Sequence, residues 1–431
     1  MKYMIITHGC QMNEHDSERI AYFLENLHYE KTDQVDQADF LLFNTCLIRE
    51  NAELKVLGQI GAMKKWKEED PSRILAVSGC MMQTGPAREL IREKYPQVDL
   101  VFGTQNIGKL PQFLAQIKET SERIIDINSY EEDQQAQFLR KDRSFAYVNI
   151  IKGCNNFCSY CVVPYARGRE ISRSQEEIIR EVKHLAKNGY KEIMLLGQNV
   201  NSYGGGDQFP KLLRKVHEID GIERIRFISS HPKDLSDELI DTIADYPKIE
   251  RHFHLPLQSG SNKVLKEMNR KYTREKFMDL AQKLREKVDD ISITTDIIVA
   301  FPGESEEDHQ DTLNLCQRVE FDNAFTFIYS PRPGTPAAER KDQIEEKVAS
   351  RRFQELLDVL YPIFLKKNKE EIGKTVRVLI ENRSKNNPKM MTGRDSKNKL
   401  IHLPGDQSDI GKMIDAKIVD CNSFSLRAVR I

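Results

Sequence analysis

Three cysteines stand within eight residues, in the segment GCNNFCSYC at 153–161, where Cys154, Cys158 and Cys161 are spaced C-x3-C-x2-C. Thiolates are the usual ligands of iron–sulfur clusters. Three of them can hold three irons of a 4Fe–4S cube and leave the fourth iron open to another molecule. The alternatives are a zinc site short of one ligand, or unrelated loop thiols. Zinc sites favour paired C-x2-C spacings and a fourth protein ligand, which weighs against the first of these. Cys10, Cys46 and Cys80 are far apart in the chain, yet each ends an apolar run: MIITHGC, LLFNTC and LAVSGC. If the runs are parallel strands, their C-terminal ends share one edge, and three loops bring three thiols together. Gly9 and Gly79 leave room there for close backbone. Three buried core cysteines are the competing reading. The remaining two, Cys316 in a helical pattern and Cys421 in a late strand, are expected to be core residues.

The elements that must position these thiols follow from periodicity. The runs YMIIT (3–7), DFLLFNT (39–45), ILAVSG (74–79) and DLVFG (99–103) alternate with amphipathic helical stretches such as 16–27 and 49–67. Continuous apolar strands between helices predict a parallel sheet covered on both faces, a doubly wound α/β domain at 1–118. Residues 119–143 are polar and charged and are expected to be a linker, in which IIDI could still form a short strand. From 140 to 368 strand–helix alternation resumes, with strands expected at 145–151, 192–197, 224–229, 251–257, 292–301 and 324–330. At least six such units predict a partial or full α/β barrel with its functional residues at the strand C-termini. Residues 369–431 hold only short strands and turns, which predicts a small β-barrel. Its segment 371–431 has 12 Lys+Arg and 7 Asp+Glu, a balance of +5.

The totals set the outer limits. A chain of 431 residues is too long for one ordinary core, so two or three domains are expected. With 39% hydrophobic and 30% charged residues it has the composition of a soluble globular protein. A formal net charge of −1 excludes a polycation, so any nucleic-acid surface must be local. No signal peptide or run of about 18 apolar residues is present, which predicts a cytoplasmic protein with reduced thiols and no membrane partner.

With these motifs in place, the chain resembles the radical S-adenosylmethionine (SAM) methylthiotransferase family. The C-x3-C-x2-C after the first barrel strand resembles the radical SAM signature. The three strand-end cysteines resemble the family's N-terminal domain, and the small barrel resembles its TRAM RNA-binding module. The segments HGCQMNEHDS (8–17), NTCLIRENAE (44–53), CVVPYARGRE (161–170), SRS (172–174), LLGQNVNSYG (195–204) and YSPRPGTPAA (329–338) look like the tRNA subgroup. That subgroup acts on N6-isopentenyladenosine. Small departures are His8, where an aromatic is usual, and Leu47, where a small residue is usual.

The resemblance implies methylthiolation of carbon 2 of N6-isopentenyladenosine at position 37 of tRNA, beside the anticodon. It implies two 4Fe–4S clusters: one on Cys154, Cys158 and Cys161, where SAM chelates the open iron and is cleaved to a 5′-deoxyadenosyl radical, and one for sulfur delivery on Cys10, Cys46 and Cys80. It places SAM contacts at Gly197, Gln198 and Gly303, where an ordinary turn is the competing reading. No catalytic acid or base is named. Partners are the tRNA anticodon stem-loop, an electron donor and a sulfur source, with the chain a monomer. Arg167, Arg169 and Arg173 are expected at tRNA phosphates, or else on a solvated loop. The basic barrel is expected to supply tRNA affinity and not chemistry, so that its removal leaves SAM cleavage intact. GGG at 204–206 lacks a following Lys-Ser/Thr and is not a phosphate loop. Competing functions are methylthiolation of threonylcarbamoyladenosine in tRNA or of a ribosomal protein, and a non-catalytic RNA-binding iron–sulfur redox sensor.

Overall fold

The computed structural model describes residues 1–46, 50–127, 145–385, 387 and 389–431. The chain divides into two compact units, one of the N-terminal residues together with Lys152–Asn155 and Val162–Glu170, the other holding Asn156–Cys161 and Ile171–Ile431.

The N-terminal unit is a six-stranded, all-parallel sheet. Its strands are β1 (Lys2–Thr7), β2 (Glu30–Lys31), β3 (Phe40–Thr45), β4 (Ile74–Gly79), β5 (Leu100–Phe102) and β6 (Ile124–Asp126), in the order β2-β1-β3-β4-β5-β6. β3 and β4 are fully buried, as strands covered on both faces by helices must be. Two apolar clusters lie on the two faces: Leu41, Phe43, Leu75 and Val77 on one, Phe40, Leu42, Ile74 and Ala76 on the other. The stretch expected to be a linker is partly sheet, because IIDI supplies β6, which pairs with β5 from Leu100↔Ile124. The apolar side of Ile124 is what holds it there, at 9% exposure beside Leu100. Residues 128–143 of that expected linker, and the start of the helix expected at 49–67, lie outside the described residues. The latter continues as two helices, Glu50–Ala62 and Lys64–Glu69.

The second unit begins with β7 (Phe145–Asn149). Two short strands, β8 (Ile151–Lys152) and β9 (Ile171–Ser172), flank the cysteine loop in sequence. β10 (Glu192–Leu196), β11 (Arg224–Phe227), β12 (His252–His254), β13 (Ser292–Val299) and β14 (Asn323–Ile328) follow. Parallel pairing runs β7-β10-β11 and β12-β13-β14, and an Ile225↔Ile249 bridge links β11 to the segment entering β12. The strands thus follow in chain order, the architecture of a partial α/β barrel. β12 is shorter than the expected 251–257 because Pro256 has no N–H to give a sheet ladder.

The helix Glu346–Lys369 leads into a closed five-stranded barrel of β15 (Thr375–Arg383), β16 (Met390–Arg394), β17 (Leu400–Pro404), β18 (Met413–Cys421) and β19 (Leu426–Arg430). This barrel is bolted to the larger one by buried charge. Arg224 donates to the carbonyls of Arg377 (2.8 Å) and Arg394 (3.0 Å). Arg226, with a side chain only 2% exposed, reaches Glu250 (2.8 Å), Glu192 (3.1 Å) and Asn398 (2.9 Å). Lys397 pairs with Asp290, and Lys399 reaches Asp322 at 3.3 Å and donates to Asn368 at 2.9 Å. Burial pushes the Glu250 carboxyl up and Arg226 pulls it back.

The structure therefore changes one expectation. Removing the small barrel would strip partners from buried Arg224 and Arg226, so its deletion would damage the larger barrel too. Breaking a buried ion pair from one side costs about 3–5 kcal/mol. Arg226→Met is expected to destabilise the second unit by an amount of that order in denaturant unfolding, because Glu192 and Glu250 lose the nearer of their two cations and keep only Arg224, at 3.2 and 3.7 Å. Unfolding indistinguishable from the parent protein would contradict this.

Candidate functional site

In the order β2-β1-β3, the chain changes direction across the sheet between β1 and β3, and the crevice outside such strand C-termini is where open α/β sheets bind ligands. Cys10 follows β1, Cys46 follows β3 and Cys80 follows β4. The three loops are packed backbone against backbone. A Cβ on Gly9 would lie 2.7 Å from the Cys46 Cβ, and one on Gly79 (φ +102°) would collide with the Thr45 backbone. Any other residue at either position would force these loops apart.

A polar clamp fixes the strand ends. Asn13 Nδ2 donates to the carbonyls of Thr45 (2.8 Å) and His8 (3.2 Å). Asn44 Nδ2 donates to the Asn13 carbonyl and to Ser17 Oγ, both at 2.8 Å, and Thr45 Oγ1 donates to the Ser78 carbonyl at 2.5 Å. Cys10 is the N-cap of the helix Gln11–Asn26, with its Sγ 3.6 Å from Asn13 Oδ1. Asn13, Asp16 and Ser17 recur at helical spacing from Cys10, so one helix face meets the strand residues of the clamp.

The thiols at this edge sense one another. Burial pushes the Cys80 thiol up to about 11, Arg167 opposes that, and Cys10, Asp16 and Cys46 reinforce it. Arg167 Nε lies 3.1 Å from Cys80 Sγ and its Nη2 lies 2.9 Å from Asp16 Oδ2. Burial works against the Arg167 charge, but Asp16, Cys80 and Cys10 outweigh it and its pKa ends above the ordinary value. Among the described residues, no three His, Cys, Asp or Glu side chains converge as they would on a single metal ion. A cluster makes no such demand, because each thiolate binds a different iron.

The second cysteine set lies on the loop after β7. Cys154 and Cys158 are buried and Cys161 is half-buried. In the N-terminal unit, Gly153 (φ +75°) packs against the Arg169 carbonyl, and the Cys154 N–H donates to the Gly168 carbonyl at 3.2 Å. In the second unit, Cys161 N–H donates to the Cys158 carbonyl at 3.0 Å, and Asn269 Nδ2 donates to the Phe157 carbonyl at 2.9 Å. Arg270, itself buried, places Nη1 3.4 Å from Cys158 Sγ and Nη2 3.1 Å from the Pro256 carbonyl.

Gly197 follows β10 at a point where a Cβ would strike Ile151, so the end of β10 lies tight against the chain leaving β7. Gln198 is half-buried beside it. Gly303 (φ +75°) sits in a turn whose N–H donates to the Asp342 carbonyl (3.0 Å) and whose carbonyl accepts from Lys263 Nζ (2.9 Å). Cys316 is fully buried in the large core, where desolvation pushes its thiol up to about 12, and Cys421 packs on the core of the small barrel.

The arginine expectation is corrected for two of three residues. Arg167 is committed to Asp16 and Cys80, and Arg173 donates to Glu181 (2.8 Å) and to the Asn149 carbonyl (2.7 Å), each with a side chain 8% exposed. Buried and paired, neither is available to a phosphate. Arg169 is exposed. Asn13, Asp16, Asn44 and Arg270 went unremarked in the sequence. The first three do carry a signal, Asn13 and Asp16 lying at helical spacing from Cys10 and Asn44 two residues before Cys46. Arg270, in KEMNRKY, carries none.

Comparison with known proteins fits this layout. Residues 2–103 match the uncharacterized protein family UPF0004, residues 148–316 the radical SAM superfamily, and residues 369–430 the TRAM domain. The first span holds Cys10, Cys46 and Cys80, and the second holds Cys154, Cys158 and Cys161. The tRNA-2-methylthio-N(6)-dimethylallyladenosine synthase of Finegoldia magna is 53% identical over 98% of this chain and 93% of its own. The chain belongs to this synthase family. The synthase of Alkaliphilus oremlandii is 51% identical over 99% of this chain and 92% of its own. Among solved structures, the radical SAM methyltransferase TsrM of Kitasatospora setae superposes on the synthase-family chain with a TM-score of 0.60. It is 14% identical, covering 78% of this chain and 77% of its own, a likeness of fold alone.

The clamp is what holds the N-terminal thiols in register. Asn44→Ala removes two buried donors and leaves their acceptors short. At about 1–3 kcal/mol for each buried group left unsatisfied, it is expected to lower the stability of the N-terminal unit measurably in urea unfolding. An unchanged midpoint would mean that Asn44 is not holding the strand ends.

Proposed function

We propose that the chain replaces the hydrogen on carbon 2 of N6-isopentenyladenosine, the dimethylallyladenosine of the relatives' name, with a methylthio group at position 37 of tRNA. The observation that carries this reading is full-length identity of 53% to a tRNA-2-methylthio-N(6)-dimethylallyladenosine synthase, covering 98% of the chain. Cys154, Cys158 and Cys161 would hold one 4Fe–4S cluster, and Cys10, Cys46 and Cys80 a second; the donor sets, three thiols each, suit such clusters. When bound, the first supplies the electron that cleaves SAM and the second the sulfur. The spacing C-x3-C-x2-C supports the first assignment. The strand-end geometry, with Gly9 and Gly79 admitting no side chain, supports the second.

The chain's own residues do the positioning. The clamp of Asn13, Asn44 and Thr45 holds three strand ends at fixed separation, and Asn269 and Arg270 fix the Cys158 segment. Gly197, Gln198 and Gly303 are proposed contacts of SAM. For Gly303 the room is limited, since its backbone N–H and carbonyl already have partners. tRNA recognition is assigned to the TRAM barrel. Many of its twelve basic side chains are spent on carboxylates, such as Lys397 on Glu371 and Arg430 on Asp409. Arg383, Lys385 and Lys389, around the β15–β16 hairpin, are exposed and suit the backbone of an anticodon stem-loop. An electron donor and a sulfur source complete the reaction from outside. No helix among the described residues is long and apolar enough to cross a membrane, which fits the proposed cytoplasmic site of action.

The test is mass analysis of tRNA nucleosides after anaerobic incubation of reconstituted protein with SAM, a reductant and sulfide. The expected product is 2-methylthio-N6-isopentenyladenosine, formed only from tRNA that already carries the isopentenyl group. A methylthio product on threonylcarbamoyladenosine, or none on nucleic acid, would overturn the reading.

A further inference from the structure

Arg167 reaches Cys80 from a segment 87 residues further along the chain. That segment is fastened to the N-terminal sheet. Val162 and Ala166 pack into its apolar cluster, and the short helix Val163–Arg167 ends at Gly168 (φ +80°), whose N–H donates to the Pro164 carbonyl at 3.1 Å. The guanidinium is thereby fixed in direction. Nε points at Cys80 Sγ (3.1 Å), while Nη2 lies between Asp16 Oδ2 (2.9 Å) and Asn13 Oδ1 (3.3 Å). Asn13 Oδ1 in turn faces Cys10 Sγ at 3.6 Å, so one cation touches two of the three cysteine positions, one directly and one through an amide.

A purely structural ion pair would need only Asp16. The donor aimed at sulfur is additional, and with the Arg167 and Asp16 side chains 8% and 7% exposed, water does not screen it. Hydrogen bonds to ligand sulfurs and nearby net charge are what set the reduction potential of an iron–sulfur centre.

We infer that Arg167 is a positioning residue of the sulfur-delivering centre, donating to the Cys80 sulfur and favouring the more negative, reduced form of whatever Cys10, Cys46 and Cys80 hold, with Asp16 partly cancelling that charge. This rests on the proposal that these three cysteines bind a cluster. Reduction adds one negative charge, so a fixed cation stabilises the reduced form and a fixed anion opposes it. Arg167→Gln and Asp16→Asn must therefore act in opposite directions. Arg167→Lys keeps the charge but not the fork of donors.

The experiment uses the full chain with Cys154, Cys158 and Cys161 replaced by Ala, so that only the N-terminal centre contributes. After anaerobic reconstitution, iron is counted and the centre is titrated by electron paramagnetic resonance. At a poise where the parent is half reduced, Arg167→Gln is expected to lower the reduced-to-oxidised ratio about tenfold, about 59 mV for a one-electron couple. Asp16→Asn is expected to raise it, and Arg167→Lys to stay close to the parent. Equal iron with unchanged ratios in both variants, or shifts of the same sign, would overturn the inference. If Arg167→Gln holds no iron, Arg167→Lys decides: a restored centre with the parent's ratio supports the role, and an empty one overturns it. A parent background without iron would instead end the cluster reading itself, and the inference with it.

Discussion

Three thiols brought to one buried sheet edge repel one another once they ionise, and burial alone already penalises the first thiolate. Everything around Cys10, Cys46 and Cys80 answers that constraint. The strand ends are drawn together by a clamp of neutral amides and hydroxyls, which adds no further charge. A cation, Arg167, enters from a distant part of the chain, and Asp16 holds it in place. Glycines at 9 and 79 then permit a separation of loops that no side chain would allow.

The same device recurs at the other cysteine set. Arg270 stands against Cys158 as Arg167 stands against Cys80, each buried and each tied to a second acceptor, the Pro256 carbonyl in one case and Asp16 in the other. Guanidinium suits this role because it keeps its charge when buried and presents donors in fixed directions. At Cys316 desolvation pushes the thiol up to about 12, whereas at Cys80 Arg167 works against the same rise.

Much of this was legible in the chain. Apolar runs ending in cysteine located β1, β3 and β4, because strand periodicity and the strand-end position of ligands follow from sequence alone. The IIDI strand was hidden by the polar residues around it, since three residues are too few to show a period. The destination of Arg167 and Arg173 was not legible. A basic loop looks the same in sequence whether it meets phosphates or buried carboxylates, and only the fold places Asp16 and Glu181 beside it. The bolting of the small barrel was missed for the same reason: Arg224 and Arg226 alternate along β11 as though solvent-facing, yet both reach the small barrel.

The central claim is that the N-terminal edge exists to deliver sulfur and not merely to hold the sheet. Cys46 tests it best, because it is a buried strand-end thiol and the amide clamp beside it is formed by Asn13, Asn44 and Thr45. In a Cys46→Ala protein, the account predicts that reduced enzyme still releases 5′-deoxyadenosine from SAM while tRNA gains no 2-methylthio group. Normal methylthiolated product from that protein would contradict the account.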